Sequence, residues 1–286
     1  MTLATATAPT EVGIYADIPD AVYHADRNSL SSSGARKLLP PSCPAIFRYE
    51  QDQPPEIKTE FEFGHAAHTL VLGKGADLVD VGFDSWATKA SKEARDAARA
   101  AGKTPLKSED YAKAHAMAAA VKRNPVAAAL LENGTPELSM YWDDPETGSR
   151  LRCRPDWLTH TTTGRPLCVD YKTTAKSAQP AAFGKSAADF GYHQQAPFYL
   201  DGLEANGLAD AAFLFVVQSK VAPYLVSVVE LDPEAIALGR DLNRAAIRLF
   251  SDCMATDTWP SYGDHIHLVN IPQYAYYQSA GLLNAQ

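Results

Sequence analysis

The sequence has few cysteines and no long run of apolar residues. Its four cysteines, in a chain of 286 residues, are scattered without a C-x-x-C spacing, which argues against a zinc ribbon and a dense disulfide framework. No stretch approaches the roughly eighteen uninterrupted apolar residues of a membrane span. The first residues also lack a basic start followed by an apolar segment. We therefore expect a cytoplasmic protein with reduced thiols and no membrane partner.

The sequence also has fewer basic than acidic residues. With 26 Lys and Arg against 34 Asp and Glu, the formal net charge is −8, which gives no overall attraction to nucleic acid. Any binding of nucleic acid must therefore depend on a local basic groove, helped by metal ions that offset nearby acidic groups. The content of 46% hydrophobic and 21% charged residues fits one good-sized folded core.

The residue pattern predicts a short lead-in followed by one domain. Residues 1–27 are expected to be extended, and residues 28–286 to form a single domain. The Ser-rich segment 28–33 supplies hydroxyls that can cap a following helix. Residues 84–107 are rich in Ala, Lys and Arg but poor in large apolar groups, which predicts an inserted basic helix or a mobile lid.

Helices and strands are expected to alternate over the rest of the chain. The predicted elements are a helix over 60–72, a helix over 108–131 interrupted at Asn124-Pro125, strands beginning at Glu137, Leu151 and Leu167, helices over 178–188 and 192–205, strands over 211–217 and 224–231, and a helix from Asp232 to Met254. The first three strands are expected to form an antiparallel meander. This order predicts an α/β (α+β) fold with a central mixed sheet flanked by helices.

Two short motifs on the second and third of these strands carry the chemistry. Asp156, in Arg154-Pro155-Asp156, precedes Asp170 by fourteen residues, and Asp170 and Lys172 point to the same face of a strand. Converging carboxylates repel unless a divalent cation lies between them, and Mg²⁺ or Mn²⁺ suits such oxygen ligands. A lysine beside the cation can stabilise the charge that develops when water attacks a phosphodiester. An Asp-x-Lys pair alone is common on protein surfaces, and the preceding Pro-Asp favours a site.

This arrangement resembles the signature of the PD-(D/E)xK nuclease superfamily, which has a restriction-endonuclease-like core. Two further motifs are similar to those of the exonuclease VIII (RecE-type) exodeoxyribonucleases of phages and prophages, namely Phe63-Gly64-His65-Ala66-Ala67-His68 and Gln195-Ala196-Pro197-Phe198-Tyr199. The resemblance covers most of the chain from about Gly13. It implies that a cation is held by His68, Asp156, Asp170 and the backbone carbonyl of Tyr171.

The same resemblance implies roles for other side chains. Gln195 and Tyr199 lie on one helical face, where they would orient the substrate strand or a catalytic group next to Lys172. Glu137 would be an additional acid near the metal, although Asp143 and Asp144 compete for that role. The basic residues that would meet DNA phosphates are Arg150, Arg152, Arg154, Lys176 and Lys185.

Such a family member would hydrolyse linear double-stranded DNA from its ends, 5′ to 3′, in phage-type homologous recombination. The resemblance implies Mg²⁺ as the cofactor, with Mn²⁺ as a substitute. It also implies DNA ends and a single-strand annealing protein as partners, and a homo-oligomer that can be a ring.

Three other interpretations stay open. An iron–sulfur nuclease would need a cysteine set that brackets the nuclease core, and the positions of the four cysteines do not supply one, so we expect no iron–sulfur cluster. A restriction-type endonuclease would share the same motifs. A catalytically inactive DNA-binding or scaffold protein would keep the fold, but it would have little use for converging carboxylates beside a lysine.

Overall fold

Two mixed β-sheets and the helices that pack on them form the fold. The computed structural model describes residues 7–53 and 59–283. Along the chain the elements are β1 (Gly13–Tyr15), α1 (Asp20–Ala25), β2 (Ser29–Ser31), α2 (Ser32–Leu38), α3 (Pro44–Asp52), α4 (Thr59–Leu72), β3 (Leu78–Asp80), α5 (Lys89–Ala100), β4 (Thr104–Leu106), α6 (Ser108–Arg123), α7 (Pro125–Leu130), β5 (Gly134–Pro136), β6 (Ser139–Asp143), β7 (Arg150–Cys153), β8 (Trp157–His160), β9 (Pro166–Thr174), α8 (Pro180–Phe190), α9 (Tyr192–Ala205), β10 (Ala212–Ser219), β11 (Val226–Val229), α10 (Pro233–Thr256) and α11 (Gln273–Leu283).

The larger sheet has the strand order β11-β10-β9-β8-β5, and the second sheet has the order β1-β6-β7-β2. In the larger sheet, β9 pairs in parallel with β10 and antiparallel with β8. The predicted α/β fold with a mixed sheet and flanking helices is confirmed. Strand β9 lies in the middle of the larger sheet, so side chains on both of its faces are covered by helices.

Most of the predicted helices form where their capping residues indicate. The Ser31 side chain accepts a hydrogen bond from Gly34 N at the start of α2. Asn124 separates α6 from α7, because its side chain caps α7 and Pro125 occupies the first turn of that helix. Asp232 caps α10 in the same way, through a hydrogen bond from Ala235 N.

The predicted three-stranded meander is wrong. The segment expected as one strand from Leu151 to Leu158 is divided into β7, which pairs with β6, and β8, which pairs with β9 in the other sheet. The division falls at Arg154-Pro155-Asp156. Pro155 has no N–H to donate to a strand ladder, so the chain leaves one sheet here and enters the next.

The N-terminal segment is not the extended lead-in that the sequence predicts. Strand β1 pairs antiparallel with β6, with Ile14 opposite Met140, and helix α1 follows it. The Arg154 guanidinium lies over the Tyr23 ring at 4.0 Å from its centroid and bonds the Asp20 carboxylate at 2.5 Å. Residues 7–27 are therefore built into the domain, while residues 1–6 of the predicted lead-in lie outside the described residues.

The basic insertion contains helix α5 and a small sheet that packs on α4 and α6. Helix α5 runs between β3 and β4, which pair in parallel as a two-stranded sheet. Of the α5 residues, Ser91 is buried and the rest are exposed or partly exposed. Helix α5 lies within the predicted basic helix or lid at 84–107, and the extent of this insertion and its role as a lid stay predictions.

Helices α9 and α10 cross closely on one face of the larger sheet. A Cβ atom at Gly239 of α10 would lie 1.6 Å from the backbone oxygen of His193 in α9, so only glycine allows this approach. The crossing helps to fix α9, which carries Gln195 and packs on β10 and on β6 and β7 of the second sheet.

The last described segment carries exposed apolar side chains. Ile266 is 99% exposed and Leu268 is 96% exposed, and none of the α11 side chains is buried. We call residues 264–283 the C-terminal arm. Within the part of the chain that the structure describes, no helix combines the length and apolar character needed to cross a membrane.

Candidate active site

Asp170 and Lys172 lie on β9 and form an ion pair. The Lys172 Nζ is 2.5 Å from Asp170 Oδ2, as expected for alternate residues on one face of a strand. Asp170 is 1% exposed, and its Oδ1 accepts a hydrogen bond from Gln195 Nε2 of α9 at 2.6 Å. Gln195 therefore contacts the second aspartate of the motif directly, and its predicted role in orienting the substrate strand or a neighbouring catalytic group stays a prediction.

Asp156 lies in the connection just before β8, where the chain has passed from one sheet to the other. Its Oδ2 accepts the backbone N–H of Tyr171 at 2.8 Å, and its backbone oxygen accepts the N–H of Glu137 at 3.2 Å. These bonds hold the Asp156 carboxylate beside β9 at Tyr171, which is the residue between Asp170 and Lys172. The division of the predicted strand thus positions the first acidic residue of the site.

His68 approaches Asp156 from α4. Its Nε2 is 3.5 Å from Asp156 Oδ2, and its ring packs edge-on against Tyr171 with centroids 4.9 Å apart. Because the Gly64 carbonyl can only accept a hydrogen bond, the 3.0 Å contact assigns a proton to His68 Nδ1. In the neutral tautomer the Nε2 lone pair then faces Asp156, which is the arrangement of a metal-ligating histidine.

The two carboxylates have opposite pKa shifts. Burial raises the pKa of Asp170, and the charge of Lys172 reverses only part of this shift. Burial also raises the pKa of Asp156, but the His68 hydrogen bond and the Lys172 charge outweigh it, so the net pKa is lowered. Asp156 therefore stays ionised more readily than Asp170 does.

The pKa values of both basic partners are raised. Burial lowers the pKa of Lys172, but the charges of Asp170 and Asp156 outweigh this effect and raise it overall. Burial likewise lowers the pKa of His68, and its hydrogen bond with Asp156 raises it above the ordinary value. Lys172 is accordingly an ammonium at neutral pH.

The donor set fits a divalent cation by its chemistry. Asp170 Oδ2 is buried and, among the described residues, meets no hydrogen-bond donor in good geometry, although Lys172 forms an ion pair with it. Two carboxylates, an imidazole and the Tyr171 backbone carbonyl are ligand types that Mg²⁺ and Mn²⁺ accept. In the described ranges, however, no three His, Cys, Asp or Glu side chains converge closely enough to surround an ion in this arrangement.

Tyr199 and Glu137 lie near these groups without contacting the carboxylates. Tyr199, one turn after Gln195, packs its ring edge-on against Phe213 with centroids 5.7 Å apart. Burial raises the pKa of Tyr199 strongly, with smaller contributions from nearby charges that include Asp170. Glu137 has a left-handed backbone (φ 52°), and its backbone N–H donates to the Asp156 carbonyl. Their predicted roles stay predictions.

The three motif arginines bind protein groups. Arg152 is 5% exposed, and its Nη1 donates to Ser29 Oγ at 2.7 Å, so the predicted phosphate contact is wrong for this residue. Arg154 bonds Asp20, as described above, and the Ile18 carbonyl at 2.9 Å. Arg150 pairs with Asp143 at 2.8 Å. The prediction failed for Arg152 because these side chains bind the N-terminal segment, and the sequence motif does not reveal where that segment lies.

The two predicted lysine contacts are exposed, but only one adjoins the site. Lys176 lines a cavity of about 220 Å³ that begins at Lys172, whereas Lys185 of α8 is not among its lining residues. The four cysteines are buried free thiols. The predicted absence of an iron–sulfur cluster stays a prediction.

Sequence reasoning missed two residues that support the site. Gln218 of β10 is fully buried and accepts the Tyr171 hydroxyl proton, while its amide donates to the carbonyls of Met117 (2.9 Å) and Tyr224 (3.1 Å). A glutamine directly after an apolar run was the available signal. Arg36 of α2 donates to the Phe190 carbonyl at 2.7 Å, and no local pattern marks it.

The sheet, the split strand and the Asp156, Asp170 and Lys172 set define a PD-(D/E)xK site. Residues 31–272 match the family described as a PDDEXK-like domain of unknown function (DUF3799). The chain belongs to this family, and the predicted superfamily is thereby confirmed. No curated protein matches the sequence.

Two solved structures can be compared with the fold. A "putative exonuclease" from Eubacterium rectale is similar over 93% of this chain and 100% of its own, with a TM-score of 0.60 and 11% sequence identity. A phage-related exonuclease from Haemophilus somnus 129PT is matched over 80% of this chain and 96% of its own, with a TM-score of 0.33 and 11% identity. At this identity the first likeness concerns the fold alone.

Proposed function

We propose that the protein is a metal-dependent DNA exonuclease that hydrolyses phosphodiester bonds of linear double-stranded DNA, with 5′ to 3′ polarity. The observation that carries this proposal is the buried Asp170, held by Gln195 and paired with Lys172, next to the Asp156 carboxylate. A structural ion pair would not need a second carboxylate and a histidine beside it. The description of the Eubacterium rectale structure as a putative exonuclease agrees with this proposal.

His68, Asp156, Asp170 and the Tyr171 carbonyl are the groups that would hold the cation, for which we propose Mg²⁺, with Mn²⁺ as a substitute. When bound, such an ion polarises a phosphoryl oxygen and lowers the pKa of water. The resemblance to exonuclease VIII supports the choice of Mg²⁺, and so does the oxygen-rich donor set.

The chain's own residues then supply position and charge. The Lys172 ammonium offsets negative charge on the attacked phosphate. Gln195 fixes the Asp170 carboxylate, and the Tyr171 N–H fixes that of Asp156, so both acids are oriented before the substrate arrives. Gln218 of the neighbouring strand β10 anchors the Tyr171 hydroxyl. Tyr199 and Glu137 are proposed to border the substrate strand and the cation, respectively.

We also propose partners beyond the DNA end. A single-strand annealing protein in a phage-type recombination system would receive the product strand. Self-association is supported by the C-terminal arm, where Ile266 and Leu268 are almost fully exposed. Apolar side chains grouped on a surface favour contact with another protein.

The test uses linear double-stranded DNA labelled separately at its 5′ and 3′ ends. Wild type with Mg²⁺ is expected to release the 5′ label first, to stop with a chelator, and to spare covalently closed circles. Asp170→Asn and Lys172→Met are expected to lose hydrolysis. Cutting of closed circles would indicate an endonuclease, and DNA binding without hydrolysis in wild type would indicate a scaffold. A brown protein would reveal an iron–sulfur cluster.

A further inference from the structure

The cavity beside Lys172 differs in charge from the rest of the protein. It lies between the end of β9, the loop after it and the α8–α9 junction, and its charged lining residues are Lys172 and Lys176, with no carboxylate among them. A larger cavity of about 360 Å³, between β6, α9 and α10, has four carboxylates in its lining. In a chain of net charge −8, the cavity beside Lys172 is suited to an anionic group.

One wall of this cavity is aromatic. Tyr192 stacks on Phe183 with ring centroids 5.7 Å apart and an interplanar angle of 14°. Phe190 lies 5.7 Å from Tyr192 and is 56% exposed, so one of its faces is open to a ligand. Arg36 holds this part of the wall by its hydrogen bond to the Phe190 carbonyl. A fixed, exposed phenyl ring beside an amine is a surface on which a nucleobase can stack.

The opposite wall carries hydroxyl groups that can still donate. Thr174 Oγ1 accepts the Lys176 N–H at 3.0 Å, and Ser177 Oγ accepts the Gln179 N–H at 3.1 Å. Because each oxygen acts as an acceptor in these bonds, each hydroxyl proton is available for another partner. Phosphate oxygens accept such protons and also attract the Lys176 ammonium.

We infer that this cavity is a subsite for the nucleotide at a DNA end. Its base lies against Phe190 and Tyr192, and its phosphate lies near Lys176 and the Thr174 and Ser177 hydroxyls. At about 220 Å³ the cavity is smaller than ligand pockets of roughly 300–1,000 Å³. A cavity of this size suits one nucleotide unit rather than several. The inference rests on the proposed function and assigns to the same site a preference for ends.

The experiment measures the binding of deoxyadenosine 5′-monophosphate by ligand-observed NMR titration, a readout that needs no catalysis. Phe190→Ala removes the stacking face and is expected to weaken binding about tenfold. Lys176→Gln is expected to weaken binding about fivefold. Deoxyadenosine, which has no phosphate, should bind wild type as weakly as the monophosphate binds Lys176→Gln. Tyr49→Ala and Lys122→Gln, which change an exposed aromatic and an exposed lysine outside the cavity, should stay within twofold of wild type.

Hydrolysis of linear DNA by the same samples separates the two proposals. If DNA is hydrolysed but the monophosphate does not bind at millimolar concentration, or binds equally to all variants, the subsite is wrong and the nuclease stands. If the monophosphate binds with the expected variant pattern while DNA stays intact, the nucleotide subsite stands and the nuclease proposal fails.

Discussion

Replacing Gln195 with leucine tests how far the site depends on an oriented Asp170. The substitution keeps the size of the side chain but removes the 2.6 Å hydrogen bond to Asp170 Oδ1, which is buried. A hydrogen bond to a charged group contributes about 1.5–3 kcal/mol. If it is retained during catalysis, its loss corresponds to a roughly 10- to 150-fold lower rate, since about 1.4 kcal/mol is a factor of ten.

The neighbouring glutamine provides a matched control. Gln194 is 9% exposed, and its Oε1 has no hydrogen-bond partner among the described residues. Gln194→Leu therefore removes an amide of the same size, in the same helix turn, without touching Asp170. We expect its hydrolysis rate to stay within about twofold of wild type and its stability to change by about 1 kcal/mol or less.

The assay is the initial rate of nucleotide release from linear DNA at saturating Mg²⁺, with urea unfolding measured on the same samples. Gln195→Leu should remain folded, because a loss of about 1–3 kcal/mol is smaller than the usual stability of a domain, about 5–15 kcal/mol. A Gln195→Leu rate within threefold of wild type would refute the reasoning. Equal losses in both variants would refute it as well, since they would show a general effect on α9.

Three further predictions concern stability and assembly. Gln218→Leu leaves the Tyr171 hydroxyl without its acceptor and removes the amide bonds to the Met117 and Tyr224 carbonyls, so urea unfolding should show a loss of about 2–6 kcal/mol, whereas Tyr171→Phe, which leaves only the buried Gln218 Oε1 without its donor, should lose about 1–3 kcal/mol. Burial raises the pKa of Asp144, but hydrogen bonds from Arg244 and Thr147 outweigh it and lower the pKa below its ordinary 3.8, so this carboxylate stabilises the fold above that pH and ceases to do so in more acidic solution. Arg244→Met should therefore shrink the difference in unfolding free energy between neutral and acidic pH, and an unchanged difference would contradict this origin. Ile266→Asp with Leu268→Asp should lower the mass measured by light scattering if the C-terminal arm joins copies of the chain, while an unchanged mass would exclude the arm from that role.

The parts of the site that depend on local pattern could be predicted from the sequence. Asp170 and Lys172 share a face because strand alternation is a property of the backbone, and the paired motifs located Asp156 and Gln195. The sheet change at Pro155 was missed, because apolar residues on both sides of it continue a strand-like pattern, although the missing N–H of the proline was an available signal.

The phosphate contact predicted for Arg152 was wrong for a related reason. The motif arginines bind groups far away in sequence, as Arg152 does with Ser29 and Arg154 with Asp20. A basic side chain on a motif strand has the same appearance in sequence whether it meets a phosphate or a carboxylate of its own chain. Gln218 was likewise hidden, because its partners Met117 and Tyr224 come from separate elements.

The small β3–β4 sheet makes the basic insertion exchangeable. The backbone N–H of Thr104 donates to the Asp77 carbonyl at 2.9 Å, so the insertion begins and ends at two residues in direct contact. A foreign domain whose own termini lie close together could be grafted between Asp77 and Thr104 without stretching the chain on either side. Such chimaeras would offer a place to attach a fluorophore or a targeting module to the protein.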